Sequence, residues 1–546
     1  MDYDSIVIGS GAGGLTTAVA LSRAGHRVLV LERHYLPGGW CHSFNLEGYQ
    51  FSPGVHYIGE CQPGGQMREI YEGLGVANDL TMLELNPDAL DHIRIGDFRF
   101  DIPKGRENYI AKLTAAFPKE ARGVRGYIET IHRMGEELKG GAKVESALDG
   151  LKMAAKIPTL VRWGARPLSS LLNKHISDPL LKDVLSMQSG DHGMRPSRAP
   201  AGLHAAVAHH YFNGGYYPKG GARALPKAFI KELRRNGGEI RTKAEVTQIL
   251  LEGKRAVGVR LADGTEISAP NIISNADPNI TFNQLIGRDR LPMLTKAKLD
   301  RTKWSISALS LFFAAEVDAD AAGLDSGNYW YTKNIGDVES AYDLASHPDP
   351  ISVEEVPFVF LTCTTLKDRS KRNDGVHTFE AFSFVSHEAF SRWQQTKFND
   401  RPDSYVEMKE ELARRMFTRL NEQVPGIEEK VVFKDVGTPL TNTHYVASTE
   451  GNIYGNEKSI AQLGPMGWGL TTPFDGLYMC GASTLGHGVA GATMSGLICA
   501  KIILKCRRRD LLNATGQDMQ ILPADHPELW PADKQPRWMK REARVA

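Results

Sequence analysis

One stretch near the start constrains the fold more than any other. Ser5-Ile6-Val7-Ile8 is a short apolar run of strand type, and Gly9, Gly11 and Gly14 follow it at G-x-G-x-x-G spacing. A helical pattern comes next, with Leu15, Ala18, Val19 and Ser22 on one face, and Gly25 stands where a helix stop is expected. Val28-Leu29-Val30-Leu31 then ends on Glu32, 18 residues beyond Gly14. Strand, glycine turn, helix, strand and acid in this order predict a dinucleotide site. Gly9 lets the chain turn, Gly11 lets a pyrophosphate approach the backbone, and Gly14 lets the helix pack on the strand. The helix N-terminus, with Ala12 and Gly13 in its first turn, offers free N–H groups to phosphate, and Glu32 can accept hydrogen bonds from a ribose. The plainer alternative is an ordinary βαβ unit with a Gly-rich turn.

The rest of the chain narrows the field by exclusion. At 546 residues it has room for a large core and more than one domain. A formal net charge of +1 gives no electrostatic case for nucleic acid. The cysteines at 41, 61, 363, 480, 499 and 506 form neither a C-x-x-C pair nor another metal spacing, so no metal site is expected and a reducing compartment fits. No leader pattern opens the sequence, and no apolar run reaches spanning length; Ile306 to Ala315 reads as a buried strand. The expectation is a cytoplasmic protein, with contact at a membrane surface through two segments. One is the basic amphipathic stretch 151–163. The other is the end of the tail, 534–544 with Trp530 and Trp538.

Helices are expected at 66–75, through most of 106–210, at 222–236 and at 404–423. Strands are expected near 80–102, at 239–251, 256–261, 306–316, 357–365 and 376–384. Residues 48–59 read as a strand of alternating aromatics and glycines ending near a ligand. A second strand-to-helix turn lies at 474–491, with Cys480-Gly481-Ala482 and then Gly488-Val489-Ala490.

The motifs at Gly9 to Glu32, Pro37-Gly38-Gly39, Tyr217-Pro218-Lys219-Gly220-Gly221, 246–278 and 476–496 together resemble the phytoene desaturase, carotenoid isomerase and retinol saturase superfamily of FAD proteins. Gly54-Val55-His56-Tyr57-Ile58-Gly59 looks most like the retinol saturase branch, and Cys480 to Gly491 is closer to desaturases and isomerases.

This resemblance implies an α/β, glutathione-reductase-like (Rossmann-like) FAD-binding domain with an inserted α+β substrate domain. The FAD domain would be discontinuous: 1–105, 214–285 and 461–509. The substrate domain would comprise 106–213 and 286–460, with 510–546 as a peripheral tail. Glu32, with Arg33 beside it, would serve the adenosine end, and Val246 would contact adenine through its backbone. Gly38 and Gly39 would lie near the flavin. Gly481, Ala482, Gly488, Val489 and Ala490 would hold the diphosphate, ribityl chain and flavin edge.

The implied reaction is FAD-dependent hydride transfer at a C=C bond of an apolar polyene such as a retinoid or carotenoid, with saturation favoured. Carotenoid desaturation and redox-neutral isomerisation are the alternatives. A lipid-binding protein without enzymatic activity, as in the Rab GDP-dissociation inhibitors, is a further one. Saturation needs a proton donor beside the hydride source, and the candidates are His56, Tyr57 and Lys219. Tyr211, Phe212, Tyr216 and Tyr217 are either polyene-stacking or core residues, and His209 and His210 read as structural. No second glycine fingerprint or C-x-x-x-x-C pair stands in the sequence. Electrons are therefore expected to pass to or from a quinone, oxygen, a separate reductase or transiently bound NAD(P)H.

Overall fold

The computed structural model describes residues 1–141, 156–353, 355–371 and 374–539. The opening motif lies at the centre of a five-stranded sheet. Its order is Leu477–Met479, Asn271–Ser274, Ser5–Ile8, Val28–Leu31 and Glu239–Arg241, with every pair parallel. Both inner strands from the motif are buried along their whole length, as a parallel sheet covered on two faces requires. The helix Ala12–Arg23 crosses the helix Gly488–Leu504 closely enough that a Cβ on Gly496 would lie 2.2 Å from the Gly13 carbonyl oxygen. Thr17 Oγ1 donates to the Gly496 carbonyl at 3.0 Å across the same contact.

The run at 239–251 is two strands. Lys243 adopts φ +55 between them, so Glu239–Arg241 stays on the parallel sheet. Val246–Glu252 leaves it for an antiparallel sheet with Arg255–Leu261 and Glu266–Ser268.

A seven-stranded sheet builds the other half: Val431–Gly437, Ser307–Glu316, Val376–Val385, Phe358–Cys363, Asn328–Thr332, Asp91–Ile95 and Phe98–Ile102. Residues 91–102, counted on sequence with the first nucleotide segment, therefore extend this second sheet. The helices Arg106–Ala116, Ala121–Gly141 and Ala201–Tyr211 share one apolar core with it, where Ile131 and Val124 meet Trp330 and Phe360.

Two further expectations change. The strand at 48–59 stops at Phe51, because Pro53 and Gly54 interrupt the ladder; Ile58 then makes a single bridge to Tyr216. The tail is also not peripheral. Gln520–Pro523 pairs in parallel with Thr81–Glu84, whose other edge takes Tyr216–Pro218.

Trp530, expected to touch lipid, is only 2% exposed, and Trp538 Nε1 donates to the Arg369 carbonyl. Of the amphipathic stretch 151–163, residues 151–155 lie outside the described residues, as do 540–544 of the tail's basic end. In the described part Trp163 is buried and Val161 is exposed. Among the described residues no helix is long and apolar enough to cross a membrane.

Candidate active site

A single cavity of about 1120 Å³ runs from the glycine loop of the parallel sheet to the aromatic face of the seven-stranded sheet. Of the residues expected at the cofactor, all line it except Gly14. Gly14 sits underneath, where a Cβ would come within 2.2 Å of the Gly9 carbonyl oxygen, and its absence lets the helix start directly beneath the turn. Gly9 itself takes φ +90, a conformation that disfavours any side chain.

Ser10, not anticipated from the motif, organises the acid. Its N–H and hydroxyl both donate to Glu32 Oε2, at 3.0 and 2.6 Å, while its oxygen accepts from Gly38 N–H at 2.9 Å. Glu32 Oε1 accepts only the N–H of His34 at 2.8 Å and so keeps a lone pair for a ribose hydroxyl. Arg33 turns its guanidinium to the carbonyls of Thr443 and His444 and lies 4.0 Å from Glu245.

Two helix N-termini face this end of the cavity, those of Ala12–Arg23 and Gly488–Leu504, and neither has a side-chain cap. Asn275 lies between them, and its amide would meet Cβ atoms built on Gly11, Gly13 or Gly481 at 2.6, 2.8 and 2.7 Å. Uncapped N–H groups, bare glycines and a carboxylate with free acceptor capacity fit the diphosphate and ribose of a dinucleotide.

The far end is aromatic and buried. Tyr57 and Tyr211 stack at 4.0 Å with their rings 6° from parallel. His56 packs beside Phe360 and Phe382, at 4.9 and 6.0 Å, with Nδ1 3.3 Å from Glu380 Oε2. His56, Tyr57 and Tyr211 line the cavity, whereas Phe212, Tyr216 and Tyr217 are buried in the core away from it.

His210 also lines the cavity and takes the Gly59 N–H on Nε2 at 2.8 Å; burial pushes its pKa down to about 4. His209 turns to Glu136 at 3.0 Å. With His132 they bring ligand atoms within 4.8 Å of one another, but Lys139 pairs with Glu136 at 3.6 Å, which makes the group an ion-pair cluster.

Lys219 is not brought to the site. Its ammonium lies 5.3 Å over the ring of Trp530, outside the cavity. The lysine beside His56 is Lys367, fully buried, donating to the His56 carbonyl and to Asn328 Oδ1, both at 2.5 Å. Burial lowers its pKa to about 7 against the attraction of Glu380 and Asp91. Lys458 is a second buried lysine; it donates to the Ala482 carbonyl at 2.6 Å, and burial brings it to about 7 as well.

The motifs gave no sign of Asp191. It lines the cavity, and its Oδ2 meets the Tyr57 hydroxyl at 2.6 Å. Burial and the nearby Asp91 raise its pKa to about 8.

A parallel sheet with a glycine turn, a carboxylate with free acceptor capacity and a deep aromatic chamber fits a dinucleotide-cofactor oxidoreductase. The chain belongs to the flavin-containing amine oxidoreductase family, whose model it matches over residues 12–504, and it is an enzyme that uses FAD. It is 31% identical over 527 residues to the all-trans-retinol 13,14-reductase of Danio rerio, covering 92% of this chain and 86% of the relative. It is 29% identical over 523 residues to the chloroplastic prolycopene isomerase of Arabidopsis thaliana, covering 91% and 82%. An oxidoreductase structure from Methanosarcina mazei superposes with a TM-score of 0.61 at 19% identity, over 92% of this chain and 99% of that one, which is a likeness of fold.

Proposed function

We propose that this enzyme saturates a C=C bond of an apolar polyene of the retinoid or carotenoid class. The observation that carries the reading is the continuity of the cavity: one space joins the glycine loop to the chamber of His56, Tyr57, Tyr211 and Phe382. Similarity to a retinol reductase along most of both chains supports the substrate class. FAD, when bound, supplies hydride exchange with a substrate carbon.

In this reading the chain's own residues do the rest. The glycine loop, Asn275, Glu32 and the second helix N-terminus hold the dinucleotide. Phe382, with Phe360 packed against it at 4.7 Å, and the Tyr57–Tyr211 stack line up a flat conjugated chain and exclude water. His56 and Tyr57 belong to the polar patch that serves the proton side of the reaction.

The test is product mass after incubation of reduced holoenzyme with retinol, lycopene and phytoene. A gain of two mass units is expected. Unchanged mass with altered geometry would instead establish isomerisation, the reading favoured by the likeness to prolycopene isomerase. A loss of two would establish desaturation.

Electrons reach the flavin from an external partner such as a quinone or a separate reductase, or leave it to oxygen in the oxidative direction. The lipid-borne substrate also brings the protein to a membrane surface. Met293 and Leu294, 83% and 85% exposed, support that contact together with Met466 at 67%. Lys298 ties the two segments by donating to the Gly467 carbonyl at 2.6 Å. In liposome flotation the protein is expected to float with anionic vesicles, and Met293→Ser/Leu294→Ser is expected to stay below.

A further inference from the structure

We infer that Asp191 is the catalytic acid, giving its proton to the substrate carbon next to the one that takes hydride, while Tyr57 and Asp91 hold it in place. The inference rests on the saturation reading above.

Asp91, Tyr57 and Asp191 form a hydrogen-bonded chain, the first two buried and Asp191 half-buried at the cavity wall. Asp91 is fully buried in the second sheet and accepts four hydrogen bonds: Trp330 Nε1 at 2.9 Å, Asn328 Nδ2 at 3.0 Å, Gln188 Nε2 at 2.9 Å and the Tyr57 hydroxyl at 3.3 Å. Burial raises the pKa of this carboxyl, and the hydrogen bonds from Trp330, Asn328 and Gln188, with Lys367 nearby, oppose that rise and favour the ionised form. Tyr57 stands between that carboxylate and Asp191, whose Oδ2 is 2.6 Å from the phenol oxygen. A phenol has one hydrogen to give, so with Asp91 charged the group at the cavity wall carries the extra proton. Two adjacent ionised carboxylates around one hydroxyl would repel each other in a site that excludes water. Tyr57 is no acid itself, since burial and the two carboxyls hold its pKa well above the ordinary phenol value.

The backbone around Asp191 is clamped. Tyr342 and Tyr454 donate to the carbonyls of Ser189 and Gly190 at 2.8 and 2.9 Å. His487 Nε2 donates to the Asp191 carbonyl at 3.0 Å. His487 directly precedes the helix Gly488–Leu504, so one hydrogen bond fastens the acid to the loop that faces the cofactor end of the cavity. The charged and titratable groups facing Asp191 are Asp91, Tyr57, Tyr211, Tyr342, Tyr454 and Lys367.

The Asp191 O–H bond breaks, and a C–H bond forms with the π pair of the substrate double bond. The adjacent carbon takes hydride and its electron pair from the reduced flavin, which an external two-electron donor reduces again. The Asp191 carboxylate left behind accepts the Tyr57 hydroxyl until solvent returns a proton.

The experiment compares wild type, Asp191→Asn and Tyr57→Phe as FAD-loaded protein, by infrared titration and by saturation rate. Wild type is expected to show a protonated-carboxyl band at neutral pH that disappears with a midpoint near pH 8 and is missing in Asp191→Asn. Asp191→Asn should keep its flavin and saturate polyene about 100-fold more slowly or worse. Tyr57→Phe should retain the band with a shifted midpoint. The absence of any such band in wild type, or full flavin content with a rate within about threefold of wild type in Asp191→Asn, would overturn the inference. If wild type forms no saturated product from any polyene, the substrate reading fails by itself, and the infrared titration still decides whether Asp191 holds the proton.

Discussion

The two ends of the cavity are built by opposite means. At the glycine end the chain contributes mostly backbone: Gly9, Gly11 and Gly13 and two uncapped helix N-termini, with the Glu32 carboxylate beside them. At the aromatic end it contributes side chains from segments far apart in sequence, with Asp91, Asp191, Asn328 and Lys367 joined around Tyr57 and His56. In the proposed reading the first end takes a diphosphate and a ribose, for which a short local motif suffices. The second must shape a chamber and hold a proton, which takes long-range packing. Damage at the first end should therefore remove the cofactor outright. Damage at the second should leave the cofactor in place and change the chemistry.

The largest effect is expected from Gly11→Val. Its Cβ would lie 2.6 Å from Asn275 Nδ2, in space the pyrophosphate also needs, so the purified protein should be colourless. Flavin absorbance after gel filtration is the measurement, and full flavin content would break the assignment of this end.

Glu32→Ala comes next. Loss of a charged hydrogen-bond partner should weaken FAD by about 1.5–3 kcal/mol, read by titrating apoprotein with FAD.

On the other side, Tyr211→Ala removes the ring stacked 4.0 Å from Tyr57. It should raise KM for the polyene about tenfold, the equivalent of about 1.4 kcal/mol, at unchanged flavin content.

A pH comparison sharpens the contrast further. The folded pKa of Asp191 is raised from 3.8 to about 8, so the protonated carboxyl stabilises the fold fully below the lower value. That contribution declines as pH rises and is gone above about 8. Denaturation midpoints of wild type should fall across this window more steeply than those of Asp191→Asn.

The smallest effect belongs to Lys219→Ala, which loses only the contact with Trp530, at about 0.5–1 kcal/mol, and should saturate substrate normally. A large loss of turnover there would return Lys219 to the chemistry.

The contrast also explains what could be read from sequence. The strand–glycine–helix–strand–acid order is local, each residue type is forced by its place, and the structure keeps Ser5–Ile8, Val28–Leu31 and Glu32 where the motif requires them. Ser10 is not legible in this way, because a serine inside G-x-G carries no pattern, although it links Glu32 to the Gly38 turn. Asp191 lies in Ser189-Gly190-Asp191-His192-Gly193, a polar run between glycines within a helical region. That anomaly marks a bend but not a partner, because the partners, Tyr57 and Asp91, lie 134 and 100 residues earlier. Lys219 stands in a glycine-rich turn, which in sequence reads as part of the site. Yet the strand Tyr216–Pro218 aims that turn at the C-terminal segment, which no local reading anticipates.

The C-terminal strand has one more consequence, for the order in which the enzyme can mature. Gln520–Pro523 pairs with Thr81–Glu84, which carries Tyr216–Pro218, whose first residue bridges Ile58 beside Tyr57. The helix Gly488–Leu504 likewise closes the cofactor end. The cavity wall therefore draws on residues as late as Met494, so its cofactor end forms only after that helix has been made. Removing the residues after Gly516 would strip the outer strand from Thr81–Glu84, which supports the chamber from behind, while leaving the fingerprint at the N-terminus untouched.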